Sequence, residues 1–138
     1  MKEEKISLLL VSSPGVLQQT LKHIFGSKPQ VTIQGVANGG LSAIKSMKNE
    51  LPDGVVIDAN VPETETDELI QVIRKEFPGV RSLVLVATSQ QFSRAALSHA
   101  DFVIRSYDLT SQLDATLAEL QTVLKNDPKK LAENVISE

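Results

Sequence analysis

A chain of 138 residues with a net charge of −3 has the size of one domain and no electrostatic footprint for nucleic acid. It has no Cys, which excludes a disulfide frame, a thiolate metal site and a thiol nucleophile; with no Trp and one Tyr, its core must be aliphatic. No apolar run approaches the ~20 residues that span a bilayer. The charged start Met1-Lys2-Glu3-Glu4-Lys5 is unlike a signal peptide, so the expected location is the cytoplasm.

Ile6 to Val11 is continuous and apolar, as a parallel strand covered on both faces must be. Pro14 then opens a helix, with Ser12 or Ser13 as the expected cap. Val16, Leu17, Thr20, Leu21, Ile24 and Phe25 recur at helical spacing before Gly26. Val31 to Val36 reads as a second, more polar strand, punctuated by Asn38-Gly39-Gly40. Leu41, Ile44 and Met47 form a helix stripe. Pro52-Asp53-Gly54 is a turn, and Val55-Val56-Ile57 is the third strand.

Thr66 or Asp67 can start the third helix, which carries Leu69, Ile70, Val72 and Ile73 and closes at Pro78-Gly79. Leu83 to Ala87 is the fourth strand, and Phe92, Ala95, Ala96 and Leu97 mark a short fourth helix. Phe102-Val103-Ile104 is the fifth strand. Leu109, Leu113, Leu117, Leu120 and Leu124 define a long fifth helix. Asp127 can cap a last short helix, with Pro128 at its first position.

Five strands alternating with five helices on short connections imply right-handed βαβ units and a parallel sheet. The expected fold is a doubly wound α/β sheet in the flavodoxin-like order 2-1-3-4-5. The domain is expected to occupy residues 1–125, and 126–138 to form a C-terminal tail or linker.

In that order the carboxyl ends of strands one, three, four and five converge at one edge, where such sheets place their chemistry. Ser12-Ser13, Asp58, Val86-Ala87-Thr88 and Arg105-Ser106 meet there. Taken as structure alone, Asp58 accepts backbone amides or pairs with Arg105, Ser12 and Ser13 cap a helix, and Val86 is core. His23 and His99 have no ligand partners at metal spacing. Glu63, Glu65, Asp67 and Glu68 suit the start of a helix, where its dipole favours negative charge. The sequence has no Gly-x-Ser-x-Gly elbow, no Walker loop and no paired carboxylates at the sheet edge, so an enzyme is not expected.

From Lys5 to Leu124 the chain resembles the receiver domain of bacterial two-component response regulators, above all receivers that precede a helix-turn-helix output domain. The likeness lies in Val36-Ala37-Asn38-Gly39-Gly40, Asp58-Ala59-Asn60-Val61-Pro62, Glu76-Phe77-Pro78-Gly79-Val80 and Arg105-Ser106-Tyr107-Asp108-Leu109. The resemblance implies that Asp58 stands at the phospho-acceptor position and that Asn60 lends a backbone carbonyl. It puts Ser12 and Ser13 where the family has an acidic pair that binds Mg²⁺. Val86 falls at the switch hydroxyl, Phe102 at the rotating aromatic and Arg105 at the Lys that pairs with the phosphoryl group. Ser106 replaces a Pro.

These departures remove chemistry. Mg²⁺ is a hard cation that wants carboxylate oxygens, and two hydroxyls leave Asp58 as the one charge nearby. Without the ion, much of the electrostatic help to phosphoryl transfer is gone. Val86 cannot hydrogen-bond a phosphoryl oxygen, and a planar guanidinium is no equivalent of a compact ammonium. The expected function is therefore that of a pseudo-receiver: a phosphorylation-independent interaction module in bacterial signalling or transcription control. No cofactor is expected. The alternative is a working acceptor at Asp58 with weakened Mg²⁺ binding, held by Asp58 and Asn60. The expected partner is a protein or a second copy, on the face of helix four, strand five and helix five, or on helices one and five. A covalent output domain beyond residue 138 would fit. Neither membrane nor nucleic-acid binding by this chain alone is expected.

Overall fold

The computed structural model describes residues 5–61 and 63–125. Strands β1 (Ile6–Val11), β2 (Val31–Ala37), β3 (Gly54–Asp58), β4 (Arg81–Val86) and β5 (Phe102–Arg105) alternate with helices α1 (Val16–Gly26), α2 (Gly40–Asn49), α3 (Glu63–Glu76), α4 (Ser89–Leu97) and α5 (Leu109–Lys125). All strand pairs are parallel, in the order β2-β1-β3-β4-β5. This is the expected order. The tail from Asn126, with the proposed cap at Asp127, lies outside the described residues, as does Pro62.

The central strands are apolar at nearly every position because alternate side chains enter two different cores. Leu9, Val11, Val55, Ile57, Val84 and Val86 meet Met47 of α2, Leu69, Ile70 and Ile73 of α3, and Ala95 of α4. Leu8, Leu10, Val56, Leu83 and Leu85 meet Leu21 and Phe25 of α1 and the five leucines of α5. Gly54 lets β3 lie close to its neighbours, since a Cβ there would come within 3.0 Å of Leu8 Cδ2 and 3.4 Å of the Arg81 carbonyl.

Two Ser–Asp pairs close the amino-terminal edge of the sheet. Asp53, just before β3, accepts the Ser7 amide at 2.9 Å, and its own amide donates to the Ser7 hydroxyl at 3.0 Å. Asp101, just before β5, accepts the Ser82 amide at 2.8 Å, and its amide donates to the Ser82 hydroxyl at 3.1 Å. Each pair ties an incoming strand to its neighbour in one register.

Two helix starts differ from the sequence reading. Neither Ser12 nor Ser13 caps α1: the N-cap is Gly15, with no side-chain cap bond. Gly15 has φ 144° and ψ −165°, a conformation open essentially to Gly alone, and it carries the chain from the buried Ser12 out to the helix. Helix α3 begins at Glu63 rather than at Thr66 or Asp67. Thr66 is buried and donates its hydroxyl back to the Val61 carbonyl at 3.3 Å, so it secures the turn before the helix from within the first turns.

The end of α4 carries a local strain. The His99 amide donates to the Ala96 carbonyl at 3.1 Å and the Ala100 amide to the Ala95 carbonyl at 3.2 Å, which is the Schellman pattern. The residue in the left-handed position is His99, with φ 65°, where Gly costs least. His99→Gly is expected to raise unfolding stability by about 1 kcal/mol, read from the midpoint of urea denaturation. Ser82→Ala is expected to lower it by about 1–2 kcal/mol, because the buried strand end then loses both hydroxyl bonds to Asp101.

Candidate functional site

Asp58 ends β3 and is only 5% exposed. Its Oδ1 accepts the Asn60 amide at 3.0 Å, two residues on, which is a local turn bond that an Asp makes with its own backbone. Its Oδ2 faces the hydroxyl of Ser12, which ends the neighbouring strand, at 3.5 Å. The same hydroxyl lies 3.3 Å from the Ser13 carbonyl, so one proton serves two acceptors. Ser12 is buried and Ser13 is exposed, so only the first of the two serines is brought to Asp58.

Arg105 goes elsewhere. Its guanidinium sits 4.7 Å from the centroid of the Phe92 ring, a cation–π contact between β5 and α4. The expected Asp58–Arg105 pair is absent, and among the described residues Asp58 has no cationic partner. The backbone-amide half of that expectation holds, through Asn60.

Val86 is fully buried on the α3–α4 side of the sheet. Phe102 packs half-buried on the opposite side, with α1 and α5. The two positions taken together as a switch therefore belong to different cores. Thr88, the nearest hydroxyl after Val86, caps α4 by accepting the Gln91 amide at 3.0 Å. Ser106 donates to the Val86 carbonyl at 3.2 Å, which ties the ends of β4 and β5 together.

Gln91 is the residue that sequence reasoning missed. Its Oε1 accepts the Ala87 amide at 2.7 Å and its Nε2 donates to Asn60 Oδ1 at 3.1 Å. One carboxamide thus bridges the loop after β3 and the loop after β4. The available signal was Thr88-Ser89-Gln90-Gln91, the Thr-x-x-Gln spacing of a capping box. Gln18 makes a similar bridge between the loops after β1 and β2, donating to the Ser12 carbonyl at 2.8 Å and to Asn38 Oδ1 at 3.0 Å. The acidic run divides by position. Glu65 Oε1 accepts the Gly40 amide at 3.2 Å and so caps the neighbouring α2. Asp67 pairs with Arg94 of α4 and accepts the Ser98 hydroxyl at 2.9 Å.

A divalent cation at this edge would find one carboxylate, Asp58, beside the Ser12 hydroxyl, which is turned toward that same carboxylate. Among the described residues no three His, Cys, Asp or Glu side chains come together as a metal cluster. Such a donor set does not fit Mg²⁺, which needs near-octahedral oxygen ligation.

Comparison with known proteins agrees with this architecture. No family model matches the chain. A protein-glutamate methylesterase/protein-glutamine glutaminase from Pyrococcus abyssi is 28% identical over 98 residues, which is 71% of this chain and 26% of that protein. The chain spans between a fifth and about a quarter of the length of the curated relatives it matches. The response regulatory domain of mrkE from Klebsiella pneumoniae superimposes with a TM-score of 0.76 at 20% identity, over 88% of this chain and 100% of that one. The response regulator domain of Thermotoga maritima CheB gives 0.72 at 21% identity, over 91% and 100%. The chain has the receiver fold of response regulators. No helix among the described residues is long and apolar enough to cross a membrane.

Asp58→Asn keeps an acceptor for the Asn60 amide and removes a buried charge. It is expected to raise stability at pH 7 by about 1 kcal/mol in chemical denaturation. A loss of that size would mean the carboxylate has a stabilising partner.

Proposed function

We propose that this domain is a pseudo-receiver, a protein-interaction module that works without phosphorylation of Asp58. The observation that carries this reading is the state of the Asp58 carboxylate. It is buried, held by Asn60 and faced by the Ser12 hydroxyl, while the cation that would assist phosphoryl transfer is stacked on Phe92. Transfer to a carboxylate proceeds by positioning and by neutralising charge. Here the acidic pair that would hold the metal is Ser12 and Ser13, and the position of the switch hydroxyl is a core valine.

Function then falls to a surface. On the α4–β5–α5 side, Leu97 is 79% and Tyr107 75% exposed, and Arg105 of β5 lies over the Phe92 ring of α4. On the α1–α5 side, Leu21 and the five leucines of α5 are core, and the exposed apolar residues are Val16 and Leu17 at the start of α1. We place the partner, a second copy or another protein of a bacterial signalling system, on the α4 side. No metal or cofactor is needed, and neither nucleic acid nor membrane enters this reading.

Amide NMR of the 138-residue chain with millimolar Mg²⁺ and beryllofluoride tests it, beside Asp58→Asn. The expected result is no saturable shift around Asp58 in either protein. Saturable shifts that reach α4 in the wild type and vanish in Asp58→Asn would establish a working acceptor instead.

A further inference from the structure

The helix that borders the proposed interaction surface is fastened to the rest of the domain by polar side chains along its length. At its start, Gln91 holds the Ala87 amide and the Asn60 side chain. At its middle and end, Arg94 and Ser98 both engage Asp67 of α3, and the Ser98 carbonyl accepts Gln71 Nε2 at 3.2 Å. The His99 carbonyl accepts Arg74 at 3.4 Å.

The Gln91 contact differs from an ordinary cap. In a capping box the third helical residue reaches back to the amide of its own N-cap. Here Oε1 passes over Thr88 and takes the amide of Ala87, the first residue after β4. Its Nε2 then crosses to Asn60, 31 residues away in sequence, on the loop that follows Asp58. Asn60 in turn donates its own amide to Asp58 Oδ1. A continuous path of hydrogen bonds therefore runs from the Asp58 carboxylate through Asn60 and Gln91 to the β4 edge and the first turn of α4. The Ala87 amide and the Asn60 side chain are the points at which the loops after β4 and β3 are tied to α4. Both are occupied by one neutral, half-buried side chain of α4 itself.

We propose that the Gln91 carboxamide is a built-in ligand that bridges Ala87 and Asn60 and locks α4 in a single position, so that the face carrying the Phe92–Arg105 contact is presented continuously. This inference deepens the pseudo-receiver reading and rests on it.

Amide hydrogen exchange of the full chain by NMR tests it in wild type, Gln91→Ala, Asn60→Ala and the double variant. In Gln91→Ala the Ala87 and Phe92 amides are expected to exchange about tenfold faster, while amides of β1 and β3 keep their wild-type rates and report an intact fold. Asn60→Ala is expected to give a smaller acceleration at Ala87, and the double variant no more than Gln91→Ala alone, since one bridge is being broken twice. Unchanged exchange at Ala87 in Gln91→Ala, or additive effects of the two substitutions, would overturn the lock. Beryllofluoride added to the wild-type protein separates the two ideas. Shifts at Asp58 and α4 would sink the pseudo-receiver reading even with the Gln91 bridge present. Silence there, combined with unchanged exchange in Gln91→Ala, would sink only the lock.

Discussion

Burial of the sheet on both faces is the constraint from which the rest of this molecule follows. A parallel strand between two helical layers has no solvent side, so β1, β3 and β4 are apolar at nearly every position. Polar groups are pushed to the two ends of the strands. At the amino-terminal end they become the Ser7–Asp53 and Ser82–Asp101 pairs, which fix register. At the carboxyl-terminal end they become Ser12, Asp58, Thr88 and Arg105, where the chain turns into helices and backbone amides stand open.

What distinguishes this edge is how completely its groups satisfy one another. Asp58 is neutralised by no cation among the described residues, yet it is supplied with an amide and faced by a hydroxyl. Arg105 has an aromatic partner of its own. The loops after β3 and β4 are joined by Gln91, and those after β1 and β2 by Gln18. Neutral carboxamides, each able to donate and accept, take the bridging places at this edge. A site whose carboxylate, guanidinium and bridging carboxamides already have internal partners has little left to offer a phosphoryl group or an ion, and this favours a reading based on surfaces over one based on a pocket.

The energetic weight of the helix contacts differs from one helix to another. Helices α1 and α5 are held by large buried side chains, Phe25 and the α5 leucines. Helix α4 contributes one fully buried apolar residue, Ala95, and is otherwise held by polar bonds to α3 and to the loops. Elements with few buried contacts are the ones a fold can afford to move. In this chain the polar bonds replace that freedom, and the apolar side chains that α4 does not bury, Leu97 above all, are left on the surface.

The period of the apolar residues and the punctuation by Gly and Pro determined the fold class, the five βα units, the strand order and the identity of the edge that carries Asp58. Those are properties of neighbouring residues and of a small set of allowed connections, so they can be read along the chain. Spacing also placed most helices within a residue or two, but it misassigned the cap of α1 and the start of α3, where a buried Ser and a buried Thr bond to the backbone beside them. Only the tertiary structure decided where the long polar side chains go. Arg105 could reach Asp58 or Phe92, Glu65 its own helix or α2, and Gln91 its own N-cap or two separate loops. Each choice is set by which groups from distant segments lie within about 3 Å of one another, and that distance exists only once the sheet has brought the strand ends together.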